Sequence, residues 1–115
     1  MQVQIPNKKL KRSIEDDAER VKRFGVELAR KIRLRMGALV AAESLADFWP
    51  SYSGSERCHE LKADLAGTFS IDLKHPYRLL FRPVDSLNGL GAVDEKQRWQ
   101  AINSIQIIGI EDTHG

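Results

Sequence analysis

The chain has 115 residues, one cysteine and a formal net charge of +2, with 42% hydrophobic and 30% charged residues. That length suits a single domain, residues 1–115, with one core. One cysteine excludes an internal disulfide framework and fits a reducing compartment. No apolar run approaches the roughly 20 residues of a membrane helix, and no apolar segment follows the N-terminal lysines, so a cytoplasmic protein without signal peptide or membrane span is expected. The small net charge hides an asymmetry: residues 1–35 carry eleven Lys/Arg against five Asp/Glu, or +6, and the remainder seven against eleven, or −4. A basic N-terminal third suggests an anionic partner for part of the surface, although a helix face with scattered solvated charge gives the same count.

Taken in order, Val3 and Ile5 alternate with Gln2 and Gln4 and predict a short strand ending at Pro6. Asn7 is placed to cap a helix whose apolar stripe is Leu10, Ile14, Ala18 and Val21. Gly25 breaks it after Phe24, and a second helix begins near Val26. Its stripe is Leu28, Ile32, Met36 and Leu39, continued by Ala42 and Leu45, and its other face holds Arg30, Lys31, Arg33 and Arg35. The short join predicts a two-helix hairpin. Pro50 to Ser55 reads as a loop.

Phe69, Ile71 and Leu73 then alternate with Thr68, Ser70 and Asp72. After Lys74-His75-Pro76, Tyr77, Leu79 and Phe81 share one face and Arg78 and Arg82 the other, which predicts two antiparallel strands. Residues 83–98, containing Asn88-Gly89 and Gly91, read as a long irregular loop. Ile105, Ile107, Ile108 and Ile110 are apolar on both alternating faces and predict a strand inside the sheet. The expected architecture is α+β: a short N-terminal strand and a two-helix hairpin packed on a twisted antiparallel sheet of three to four strands.

His59, Lys62, Arg78, Asp112 and His114 are the candidate chemistry. If the last strand pairs with the hairpin, they meet at one edge and form a set able to cleave RNA without metal. One group takes the 2′-hydroxyl proton, cations offset charge growing on the phosphate, and a proton donor protects the leaving 5′-oxygen. Imidazole suits acid–base work because it titrates near neutrality, and arginine binds two phosphate oxygens at once. Each residue also has a plainer reading: His59 satisfied by backbone, Lys62 in a turn, Arg78 paired with Asp72 across the hairpin, His114 in a frayed tail. His59, His75, Asp112 and His114 lack zinc-like spacing, so no metal and no cofactor is expected. Cys58 and His59, as strand neighbours, point to opposite faces, which argues against a thiol nucleophile.

The order of these features resembles the RelE/ParE toxin superfamily of bacterial toxin–antitoxin systems, most closely its HigB-like (host inhibition of growth, killer protein) branch. The matching pieces are Phe24-Gly25, Leu28 to Met36, Ala41 to Asp47, His59-Glu60-Leu61-Lys62, Gly67 to Ile71, Tyr77 to Phe81 and the terminal Ile108 to His114. Together they span essentially the whole chain. The resemblance implies a ribosome-dependent mRNA endonuclease, an mRNA interferase that cuts in the ribosomal A site. It implies a helix-turn-helix, HigA-like antitoxin as partner in a hetero-oligomer. It carries mRNA binding and cleavage onto His59, Lys62, Arg78, Asp112 and His114, with Arg82, Thr113 and Lys74 beside them as RNA-binding positions. Thr113 departs from the usual tyrosine of that branch, and threonine neither stacks on a base nor donates a phenolic proton. Two alternatives follow from the same resemblance: a non-enzymatic ParE-like inhibitor of DNA gyrase, and a weakened homologue that only binds its antitoxin.

Overall fold

The computed structural model describes residues 1–84 and 91–112. Asn88-Gly89, Thr113 and His114 therefore lie outside the described residues. The elements are β1 (Gln2–Gln4), α1 (Lys8–Glu15), α2 (Asp17–Phe24), α3 (Val26–Ala41), β2 (His59–Glu60), β3 (Phe69–Asp72), β4 (Tyr77–Pro83), α4 (Glu95–Gln100) and β5 (Ser104–Asp112), with 3-10 turns at Leu45–Phe48 and Ala63–Leu65. The α+β class stands. The sheet, however, has five strands in the order β1-β5-β4-β3-β2, and β1 runs parallel to β5. The expected three to four antiparallel strands thus become a mixed sheet. No helix among the described residues is long and apolar enough to cross a membrane.

The two-helix hairpin is corrected to three helices. Asp16 interrupts the first stripe: its backbone is extended and its carboxylate accepts from the Glu19 N–H, capping α2 as α1 ends. The chain re-aims there. Ile14 stays in the core, but Ala18 and Val21 are exposed and Arg20 is buried instead, donating to the Ile14 carbonyl at 2.7 Å and pairing with Asp17. The α3 stripe buries Leu28, Ile32 and Leu39, with Met36 partly buried; its expected continuation is corrected, because the helix ends at Ala41 and Leu45 is buried from the separate 3-10 turn that follows. Arg35, assigned to the solvent face, is buried: its Nε donates to the Asp72 carbonyl at 2.8 Å and its terminal nitrogen to the Ser55 carbonyl at 3.2 Å, tying α3 to the sheet edge.

Between α2 and α3 stands Gly25 alone, at φ +80°, ψ 165°, a region open essentially to glycine. An added Cβ would meet nothing within 4 Å at Gly25 or at Gly37 inside α3, so backbone conformation alone separates the two. Gly25→Ala is expected to cost about 1–3 kcal/mol, and Gly37→Ala to add up to about 1 kcal/mol of stability. Urea unfolding of both variants checks the opposite signs.

The irregular stretch 83–98 ends in α4, which the sequence reading missed. Asp94 and Gln97 form a reciprocal capping box at its start. Its Trp99 is fully buried, edge-on to Phe69 at 5.7 Å, and Arg98 bonds Glu60 of β2 at 2.8 Å.

β5 also departs from simple alternation. Leu80 pairs with Gly109 but Phe81 pairs with Ile107, so Ile108 is an extra residue at a β-bulge. The bulge lets Ile105, Ile107 and Ile110 all lie against the core while Ile108 is exposed. The adjacent isoleucines thus mark a bulge, not burial on two faces.

Candidate functional site

Register decides which side chains share the face turned away from the core. Phe69, Ile71, Leu79, Phe81 and Ile107 are fully buried on the inner face, with α3 and α4 contributing to the same cluster. Directly paired residues in an antiparallel ladder point the same way. The outer face is therefore built of three cross-strand rows. Asp72, Arg78 and Glu111 form the first; His59, Ser70, Leu80 and Gly109 the second; Arg82, Gln106 and Gln4 the third. Successive rows are two residues, or roughly 7 Å, apart along the strand.

His59 begins β2. It is buried, and its Nδ1 lies 2.8 Å from the Arg57 carbonyl. A carbonyl only accepts, so Nδ1 carries the proton and the neutral ring keeps its lone pair on Nε2. The ring stacks on Tyr52 with centroids 4.0 Å apart and planes at 17°. Arg57 itself reaches the Asp72 carboxylate at 3.2 Å, and Arg78 lies 3.6 Å from the other Asp72 oxygen. That oxygen makes no hydrogen bond, so Arg78 is held by charge alone and stays about one-third exposed. The plain reading of both residues is thus realised, and neither pairing uses up the group: His59 keeps Nε2, and Arg78 keeps donors for a second anion.

The structure brings His59, Arg78 and Arg82 onto one face. It does not bring all the sequence candidates there. Register sets Glu111 opposite Arg78, and Asp112 opposite Tyr77, which points toward the inner side. Lys62 is exposed in the turn after β2. Lys74 turns toward α3 and pairs with Glu27, whose carboxyl it holds below the usual range through a hydrogen bond and its charge. With His75, Tyr77, Phe24 and Leu28, Lys74 lines a cleft of about 860 Å³ on the helix side. Cys58 is fully buried, and burial, with a smaller push from the Glu56 charge, raises its thiol to about 12. It is inert at neutral pH.

Two residues of this face escaped the sequence reading. Tyr52 lay in a stretch read only as loop, and Arg57 in none of the motifs; an aromatic seven residues before a candidate histidine was the available signal.

No protein-family model matches the chain, and no curated protein sequence does. Solved structures do. The chain is similar over 99% of its length to the whole of a "YoeB/ParE toxin from Agrobacterium tumefaciens", at 17% identity and a TM-score of 0.57. It is also similar over 95% of its length to 92% of a chain in "The structure of YoeB dimer from Staphylococcus aureus", at 17% identity and a TM-score of 0.49. The first likeness covers both chains end to end. A bulged five-strand mixed sheet with its helices on the core side, leaving His59, Arg78 and Arg82 on the other, is thus built on the fold of a YoeB/ParE toxin.

Proposed function

We propose that this chain is the toxin of a type II toxin–antitoxin system and an endoribonuclease that cuts mRNA on the ribosome, in the manner of HigB-like proteins. The observation that carries the reading is the outer face: a histidine with a fixed tautomer beside two arginines, on a toxin fold. In the proposed step, His59 Nε2 removes the 2′-hydroxyl proton as that oxygen attacks the adjacent phosphorus. The P–O5′ bond breaks, the 5′-oxygen takes a proton from His114, and a 2′,3′-cyclic phosphate remains. Arg78 neutralises the phosphate oxygens on that face and Arg82 holds flanking RNA, with Lys62, from the turn after β2, and Thr113 as further RNA contacts. The basic N-terminal third faces ribosomal RNA, a contact that weakens with salt. A helix-turn-helix, HigA-like antitoxin is the proposed partner.

The test is a purified translation reaction with a defined mRNA, with and without ribosomes, and 5′ ends mapped by primer extension. Cuts that require ribosomes and fall in frame with codons are expected. Intact mRNA from folded protein would overturn the reading. DNA-damage signalling with intact mRNA would instead identify a gyrase inhibitor, and normal growth an inactive homologue.

A further inference from the structure

We propose that Tyr52 forms a stacking site for an unpaired nucleobase of single-stranded RNA, next to the phosphate held by Arg78; this rests on the RNA-cleavage reading above. The ring is half-exposed and lies parallel to the His59 imidazole at 4.0 Å, so an aromatic surface reaches solvent directly over the candidate base. It is held in place before any ligand arrives. The Tyr52 N–H donates to the Cys58 carbonyl at 3.0 Å, closing the loop onto the residue before β2. Ser53 hydrogen-bonds the Phe48 carbonyl through its hydroxyl and the Pro50 carbonyl through its N–H, and the Arg57 N–H bonds the Ser53 carbonyl. Tyr52 and Arg57 both have left-handed backbones, at φ +67° and +48°, which bulky side chains rarely adopt. Such strain persists where the surroundings over-determine it, and here it aims both side chains at His59 and Asp72.

The chemistry around the ring fits a nucleotide. The Arg57 guanidinium lies 5.2 Å from the Tyr52 centroid, is half-exposed, and spans toward Asp72. A planar base joining the stack moves that guanidinium aside and leaves it beside the base's own phosphate, with Arg78 one row away. An aromatic with one supported face beside an arginine binds bases by stacking with little sequence preference.

The experiment is fluorescence anisotropy of a labelled single-stranded oligoribonucleotide of roughly ten nucleotides, with the same sequence as a duplex for comparison. Wild type, Tyr52→Phe, Tyr52→Ala and Tyr52→Leu are compared after circular dichroism shows each folded. Tyr52→Phe should bind within about twofold of wild type, and Tyr52→Ala should weaken binding roughly 5- to 100-fold. Tyr52→Leu, which restores bulk without a π face, should resemble alanine and serves if Tyr52→Ala does not fold. Unchanged binding with slowed cleavage would overturn the proposal and make Tyr52 a support for the His59 ring. Wild type that prefers the duplex, or binds neither RNA, would overturn the stacking site, while ribosome-dependent cleavage stands or falls separately by primer extension.

Discussion

Phe81→Ala is expected to lower the unfolding free energy by about 3–5 kcal/mol. Phe81 lies on β4, the middle strand, and is fully buried. It stacks on Phe69 at 5.8 Å, and Phe69 in turn meets the edge of Trp99. On its other flank it pairs with Ile107, beside the bulge. Truncation removes a large apolar surface and one aromatic pair, itself worth about 0.5–1.5 kcal/mol beyond area. The cavity is walled by three hydrogen-bonded strands, which cannot close over it as a loose helix end might. Since whole domains are stable by about 5–15 kcal/mol, this one change removes a large share. Urea unfolding should show a lower midpoint at unchanged slope. Ile108→Ala, next to Phe81's partner Ile107 but exposed, should stay within about 0.5 kcal/mol of wild type. Equal effects at the two positions would mean the bulge does not sort the isoleucines as described.

Under the proposed function, His59→Ala should lower ribosome-dependent cleavage about 100-fold, the lower end of what a positioned acid–base group contributes. The geometry makes the effect specific. The Arg57 carbonyl fixes one nitrogen and Tyr52 fixes the ring plane, so no neighbouring imidazole can be substituted without rebuilding the loop. Single-turnover cleavage on programmed ribosomes measures it, with ribosome binding followed separately. Undiminished cleavage would reduce His59 to a packing residue under Tyr52. Loss of binding with it would point to recognition, not proton transfer.

Much of this was legible in the chain, and the misses have physical causes. The alternation in 69–73 and 77–81 gave the hairpin because one face is covered and the other is not. Leu28, Ile32 and Leu39 gave α3 for the same reason. The break at Asp16 was hidden because Leu10, Ile14, Ala18 and Val21 keep helical spacing; only the cap at Asp16 shows that the second half is turned. Arg35 was read as surface charge, since its burial depends on carbonyls from distant segments that no local pattern encodes. The parallel β1 was seen as a strand but not paired, because three residues carry no partner information. α4 announced itself by Asp94 and Gln97, a signal overlooked inside a long irregular stretch. As for the site, residue type found His59 and Arg78, while their neighbours Tyr52 and Arg57 became visible only through tertiary geometry.

The extra residue in β5 carries a consequence for comparing this protein with its relatives. Ile108 shifts everything after it by half a pleat, so it decides that Glu111, and not Asp112, stands across from Arg78. A homologous gene lacking that single codon would present its last acids on exchanged faces while aligning almost perfectly in sequence. Terminal acids should therefore be matched across such proteins only after the residue at this bulge has been counted, because an ungapped column there can equate two carboxylates that never occupy the same side of the sheet.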